Sequence, residues 1–194
     1  MTPKQIDRVL NKIKKIRKEI NDEKRQFGGY HDGRGLRYIP FELYLKIQDF
    51  KGGLTYLRWF TKTFPDDIAM PEIMIISSII YFKNGKIKDA EKKALQAYFA
   101  DSYVIDIFID REIKRENDSN LDLNTLKDYF SDLKKQNDLS DFQEWLTDFE
   151  NTEIFKDYKL KNQELQLKLE KATDDELIDG LYDNIQQLQR LEKY

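Results

Sequence analysis

Residues 46–65 read KIQDFKGGLTYLRWFTKTFP, and this stretch predicts a helix with a defined start and end. Segment 48–51 interrupts the helical pattern, and the helix that follows carries one apolar stripe, at Leu54, Leu57 and Phe60. Gly53 is small enough to let a second helix approach closely. Pro65 ends the helix, because proline cannot continue its hydrogen-bonding pattern.

A second stretch, residues 81–101, reads YFKNGKIKDAEKKALQAYFAD and repeats much of this arrangement. Its sharp turn falls at Gly85, since glycine adopts the left-handed conformation of a helix end at little cost. The helix that follows has small contact positions at Ala90, Ala94 and Ala97. Asp49 and Lys86 occupy equivalent places 37 residues apart, which fits a 34-residue repeat with a three-residue insertion.

Residues 34–104 therefore resemble two copies of the tetratricopeptide repeat. The residues that carry the resemblance are Asp49, Phe50, Gly53, Leu54, Leu57, Phe60 and Pro65 in the first copy and Gly85, Ile87, Ala90, Ala94 and Ala97 in the second. The resemblance implies an all-α fold of antiparallel helical hairpins, here with flanking amphipathic helices. It also implies a non-catalytic scaffold that binds a protein or peptide through the repeat surface and needs no cofactor. An ordinary pair of helical hairpins without repeat ancestry is the alternative.

In this family the leading helix of each repeat lines a concave groove, which implies a set of partner-binding positions. These are Tyr38, Glu42, Leu45 and Lys46 in the first copy and Ile75, Ile79, Phe82 and Lys83 in the second. Pro40 departs from the family pattern and predicts a short leading helix that begins near Ile39 or Pro40.

The second leading helix begins at Pro71 with PEIMIISSIIYF and is apolar almost all round, so it must be buried on every side. Either the groove binds an apolar partner segment, or another part of this chain covers it. Coverage by the chain is favoured, because soluble proteins seldom expose such a patch.

The composition favours helices and excludes several classes of site. The 194 residues are 40% hydrophobic and 36% charged and include only eight glycines and four prolines, which suits one helical domain or two small ones. There is no cysteine, so disulfides, thiol nucleophiles and cysteine metal sites are excluded.

The amino terminus, MTPKQIDRVLNKIKK, lacks the continuous apolar core of a secretory signal. The longest apolar run, residues 73–82, is too short to span a bilayer, so we expect a soluble cytoplasmic protein with no membrane partner. Residues 1–25 predict an amphipathic helix with its start at Thr2 and a narrow apolar seam, at Ile6, Val9, Ile13, Ile16 and Ile20. Its basic face lacks interleaved aromatic residues and no groove-reading motif follows, which disfavours nucleic-acid binding.

Residues 26–35, QFGGYHDGRG, are a Gly-rich connection that contains the only histidine. The main alternative function is a small helical enzyme or ligand-binding protein that uses this loop. Its candidate residues are Tyr30, His31, Asp32, Arg34 and Arg37, and the two arginines would serve as anion ligands. The loop lacks the lysine and hydroxyl residue of a phosphate-binding loop and follows no strand. His31 and Asp32 are adjacent and do not face each other as a catalytic pair, so a plain flexible connection is the simpler interpretation.

The repeat region, residues 36–114, is separated by the polar break RENDSN from a carboxy-terminal helical region, residues 121–194. Two aromatic-faced helices are predicted there, with faces Leu126, Tyr129, Phe130 and Leu133, then Phe142, Trp145, Leu146 and Phe149. Ser140 with Gln143, and Thr173 with Glu176, match the capping-box pattern.

In residues 157–170, leucine occupies every second position from Leu165 to Leu169, as in a strand. The segment consists mainly of residue types that favour helix, so helix is predicted. In the last helix, Asp175, Asp179 and Asp183 form a carboxylate row. No other element supplies oxygen ligands to that row, so no metal site is predicted.

Charge is distributed unevenly along the chain. Residues 1–25 carry nine basic and four acidic side chains, a net charge of +5, whereas residues 121–194 carry ten basic and eighteen acidic ones, a net charge of −8. Opposite charge at the two ends suggests an electrostatic contact within a chain or between chains. A self-associating structural protein, such as a homodimer, is the third functional alternative.

Overall fold

The computed structural model describes residues 1–30, 32–67, 69–113 and 122–191. These ranges contain ten helices and no β-strand, which confirms the predicted all-α class. In chain order the helices are α1 Pro3–Phe27, α2 Ile39–Lys46, α3 Phe50–Thr63, α4 Pro71–Lys83, α5 Ile87–Ala100, α6 Val104–Phe108, α7 Leu123–Gln136, α8 Ser140–Glu150, α9 Glu153–Lys171 and α10 Asp175–Arg190. None of the helices in these ranges is long and apolar enough to cross a membrane.

Helix α1 begins and ends where its sequence provides caps. The Thr2 hydroxyl accepts a hydrogen bond from the Gln5 backbone N–H, and the Gln5 side chain accepts one of 2.8 Å from the Thr2 N–H. Pro3 takes the first helical position, and Gly28 ends the helix with a φ of 76°. Three isoleucines of the predicted seam are buried, namely Ile13, Ile16 and Ile20, and α1 packs against α2.

Helices α2 and α3 are short because the sequence marks their ends. Pro40 lies in the first turn of α2, which runs for only eight residues. The Asp49 carboxylate caps α3 and accepts a 2.9 Å hydrogen bond from the Gly52 N–H.

Gly53 marks a close approach of α3 to its neighbours. A Cβ atom added at Gly53 would lie 3.3 Å from both Ile80 Cδ1 and Tyr44 Cβ, so the residue leaves room for α4 and α2. Gly85 serves a different purpose, since its φ of 68° reverses the chain between α4 and α5.

Helix α4 is buried on all sides by its own chain. Every residue from Ile73 to Ile80 is buried, and α2, α3 and α5 all pack on this helix. The two buried serines are satisfied: the Ser77 hydroxyl donates to the Ile73 carbonyl and the Ser78 hydroxyl to the Ala90 carbonyl, each at 2.8 Å. Other helices of the same chain therefore cover α4, as the sequence favoured.

The helices after α5 extend the same core with aromatic side chains. Phe108 of α6 makes edge-on contacts with Phe130 of α7 and Phe142 of α8, with ring centroids 5.2 and 5.5 Å apart. One apolar cluster runs from Ile13 in α1 to Leu191 at the end of α10. Residues 157–170 are helical throughout, which confirms helix over strand for this segment.

Two predicted caps are wrong. The capping box of Ser140 and Gln143 does not form, because Ser140 lies inside α8 and its hydroxyl donates to Asp138 Oδ1 at 2.7 Å. Helix α10 is capped by Asp174 rather than Thr173. In both places a nearby aspartate engages the polar groups at the helix start, since a carboxylate accepts stronger hydrogen bonds than a hydroxyl does.

Candidate functional site

The predicted groove positions are divided between the core and the surface. Leu45, Ile75 and Ile79 have no exposed area, so they pack the core instead of facing a partner. Apolar side chains on α4 contact other helices in every direction, and this explains why the predicted groove face is not open there. The other positions are partly buried or exposed: Tyr38, Phe82 and Lys83 are partly buried, whereas Glu42 and Lys46 are exposed.

Helix α8 covers Phe82 and Lys83, and α7 reaches Glu42 through the Tyr129 hydroxyl. The Phe82 ring lies 5.5 Å from that of Phe142 and 5.0 Å from that of Trp145, measured between centroids. Lys83 Nζ donates to the Asp141 carboxylate, with distances of 2.7 and 2.8 Å to its two oxygens. Helices from the same chain therefore occupy the part of the predicted groove around Phe82 and Lys83.

The Gly-rich loop is held by a polar network that joins it to the connection between α3 and α4. Asp32 accepts hydrogen bonds from the backbone N–H groups of Leu36 and Arg37, at 2.8 and 2.7 Å. Arg37 Nε donates to Asp67 Oδ2 at 2.6 Å, and the Tyr38 hydroxyl donates to Asp67 Oδ1 at 2.7 Å. The network brings Asp32 and Arg37, two of the candidate ligand residues, together with Tyr38. The carboxylates of Asp32 and Asp67 both accept hydrogen bonds in it.

The two loop arginines already have anionic partners. The Arg34 guanidinium pairs with Glu19 and lies 3.9 Å from Glu23, both on α1. Arg37 pairs with Asp67, whose side chain is only 5% exposed. An external anion would have to displace these carboxylates, so the loop is poorly suited to bind one. Tyr30 packs its ring on Phe64, 5.0 Å away, and His31 lies outside the described residues.

A different feature, here called the Lys93 cleft, has a volume of about 680 Å³ and lies between α3, α4, α5 and α10. Its apolar lining comes from Leu57, Phe60, Phe64, Met74 and Phe99. Its polar lining includes Lys93 and Gln96 from α5 and Arg190 from α10. This volume falls within the range of small-ligand pockets, and the combination of an apolar surface with a few polar groups is typical of them.

Lys93 is the unusual group in this cleft. The side chain is partly buried, and among the residues that the structure describes it forms no ion pair or hydrogen bond. Burial lowers the pKa of Lys93, the charge of Lys92 lowers it further, and Asp67 opposes the shift. Asp67 is already engaged by Arg37 and Tyr38 and leaves Lys93 without an ion-pair partner.

Gln96 adds a second unsatisfied group beside Lys93. Its Oε1 atom is buried, and no described residue donates a hydrogen bond to it. Unsatisfied buried polar atoms are uncommon in folded proteins, and each calls for an explanation such as a missing partner. One wall of the cleft therefore carries both a donor and an acceptor that no described residue satisfies.

Analysis of the sequence missed this cleft, although a signal was present. Ala90, Lys93, Ala94 and Ala97 have the spacing i, i+3, i+4, i+7 of a buried helix face, and the three alanines are fully buried. A lysine on such a face points into the protein. The pattern does not indicate where α10 lies, and α10 supplies Arg190 to the cleft.

Within the described part of the chain, no cluster of histidine, aspartate and glutamate side chains is arranged to hold a metal ion. Comparison with family models, with curated proteins and with solved structures found no match to this chain. The chemistry of the cleft is therefore the main basis for a functional proposal.

Proposed function

We propose that this chain is a non-catalytic, tetratricopeptide-like helical protein that binds a protein or peptide partner on its repeat surface, at the Lys93 cleft. The observation that carries the proposal is a partly buried lysine in an apolar cleft, without an ion-pair partner among the described residues. Burying a charge without a partner is costly, and a bound partner that supplies an opposite charge removes this cost. A cytoplasmic location is part of the proposal, and the cysteine-free sequence is compatible with it.

The cleft is favoured over the groove of the leading helices because the groove is occupied. Phe82 contacts two aromatic rings of α8, and Lys83 pairs with Asp141. A partner at this face would have to displace helices whose core side chains, such as Phe142, have no exposed area. The cleft needs no such displacement.

Binding is favoured over catalysis because the polar groups of the Gly-rich loop satisfy one another. Asp32 and Asp67, the two carboxylates that could act as a base there, each accept at least two hydrogen bonds. The two side chains are only 1% and 5% exposed, and a general base needs to come within hydrogen-bond reach of the substrate proton.

Photocrosslinking tests where the partner binds. The photoreactive residue p-benzoylphenylalanine replaces Phe99 in the cleft, Phe82 at the covered groove, or Leu167 on the exposed side of α9. Each variant is irradiated in a lysate of the organism that encodes the chain. We expect a discrete protein adduct from the Phe99 position, and we expect Lys93→Glu to abolish it.

The control positions give the alternative outcomes. An adduct only from the Phe82 position would contradict the cleft and favour the groove, and an adduct to a second copy of this chain would favour self-association. Adducts of equal yield from Phe99 and Leu167 that persist in Lys93→Glu would show nonspecific capture and reject the proposal.

A further inference from the structure

The described residues do not balance the charges around the Lys93 cleft. Lys93 and Arg190 contribute two positive charges, and neither forms an ion pair with a described residue. Of the two aspartates at the cleft, Asp67 is neutralised by Arg37, and Asp66 lies exposed at the rim. With Asp66 counted against these two, the described residues of the cleft keep a net charge of about +1.

The surface beneath these charges is apolar and aromatic. Leu57 and Phe60 of α3 are buried in the core below the cleft, while Phe64 and Phe99 are only partly buried and have rings that a ligand can contact. Covering such partly exposed aromatic area is favourable in proportion to the area removed from water. An occupant with only polar groups would leave this contribution unused.

We propose that the cleft selects a short partner segment in which one acidic side chain is flanked by apolar side chains, with the carboxylate paired to Lys93 and the apolar side chains on Phe64 and Phe99. This inference rests on the proposed function and names the class of partner that the same cleft binds. A volume of about 680 Å³ suits a few side chains of one segment rather than a whole helix.

The backbone of such a segment can also donate a hydrogen bond to Gln96 Oε1, the second unsatisfied group. A peptide presents N–H donors next to its side chains, and Gln96 Oε1 has no donor among the described residues. Free fatty or aromatic carboxylates offer an acceptor for Lys93 but no such donor. Lys93 is a donor without an acceptor, and Gln96 Oε1 is an acceptor without a donor, among the described residues. A peptide supplies partners for both groups and is therefore favoured.

The test selects peptides from a random library displayed on phage, with the immobilised full chain as bait. Three variants are compared with the wild type: Lys93→Met, Lys93→Glu and the control Lys88→Glu. Lys88 lies on the same helix but is exposed, so Lys88→Glu makes the same charge change as Lys93→Glu outside the cleft. Circular dichroism establishes that each bait is folded before use.

We expect wild-type selections to enrich peptides with Asp or Glu between aromatic or aliphatic residues. The affinity of a synthetic peptide from that pool should fall at least about tenfold in Lys93→Met. It should stay unchanged in Lys88→Glu. Selection on Lys93→Glu should enrich Lys or Arg in place of the acid.

The inference and the proposed function fail in different ways. Enriched peptides without a conserved acidic position, or equal affinity for wild type and Lys93→Met, would overturn the inference and leave cleft binding in place. Crosslinking at Phe99 without any enriched peptide would also overturn the inference alone. Failure of both the Phe99 crosslink and the peptide selection would overturn the proposed function as well.

Discussion

The Tyr129 hydroxyl donates a 2.8 Å hydrogen bond to Glu42 Oε1 and joins α7 to α2 across 87 residues of sequence. Burial and the neighbouring Glu42 carboxylate both raise the pKa of Tyr129, so the phenol stays protonated and remains a donor. Together with the pair of Lys83 and Asp141, this bond connects α7 and α8 to α2 and α4.

Replacing Tyr129 with Phe should destabilise the protein by about 1 kcal/mol, because the hydrogen bond to Glu42 is lost while the ring still packs. In a chain of this length such a loss lowers the melting temperature by roughly 2–4 °C. Thermal unfolding followed by circular dichroism measures the change. Tyr182→Phe is the matched control, since this tyrosine is 52% exposed on α10 and should melt like the wild type. Equal melting of Tyr129→Phe and wild type would show that the bond adds nothing.

Replacing Arg37 with Met should be severe, because it leaves the Asp67 carboxylate buried without its cation. The expected loss is about 3–5 kcal/mol, as for other broken buried pairs. Urea unfolding provides the measurement. Arg34→Met is the control, since Arg34 is exposed and its pair with Glu19 is screened by solvent, so no measurable change is expected.

The same variants test the loop as a ligand site. If the loop bound a phosphorylated or anionic compound, that compound would raise the melting temperature of the wild type, and Arg34→Met would remove the effect. We expect no such rise, because the arginines are already paired.

Replacing Gly53 with Val should cost about 1–3 kcal/mol, since the added side chain overpacks the contact with Ile80 and Tyr44. Gly180→Ala is the contrasting variant. An added Cβ at Gly180 meets nothing within 4 Å, so the better helix propensity of alanine should stabilise α10 by up to about 1 kcal/mol. Guanidinium unfolding of both variants gives the comparison. Stabilisation by Gly53→Val would mean that α3 and α4 are not in close contact.

Replacing Lys93 with Met should stabilise the protein at neutral pH by up to about 1 kcal/mol, because a partly buried charge without a partner among the described residues is removed while the stem of the side chain is kept. Stabilisation that accompanies the loss of binding would mark Lys93 as a residue kept for function rather than for folding. Thermal unfolding at neutral pH measures the gain, and a lower melting temperature would show that the lysine has a stabilising partner.

The pH dependence of this gain follows from the lowered pKa of Lys93. The unfolded chain binds the lysine proton up to about its usual pKa, 10.5, whereas the folded chain releases it at lower pH. The penalty of the buried charge is therefore full below the folded pKa and declines as pH rises towards 10.5. The charged groups near Lys93 are Lys92, Asp67, Asp66 and Arg190. The advantage of Lys93→Met over wild type should shrink in alkaline buffer, and a constant advantage would contradict a lowered pKa.

Local signals in the sequence predicted most of the helices. Pro40 set the short length of α2, Gly85 set the reversal after α4, and the Thr2 capping box set the start of α1. These features act over one helical turn, so they do not depend on distant contacts. The predicted caps at Ser140 and Thr173 failed where two suitable acceptors competed within a few residues.

The sequence by itself determined the helical class, the apolar faces and the need to bury α4 on all sides, because periodicity and composition are properties of the chain alone. Only the tertiary structure decided what lies against those faces. It brought α8 onto Phe82, paired Arg37 with Asp67 and placed Arg190 of α10 in the same cleft as Lys93. Such contacts join residues far apart in sequence, and their geometry depends on how whole helices pack, which no local pattern contains.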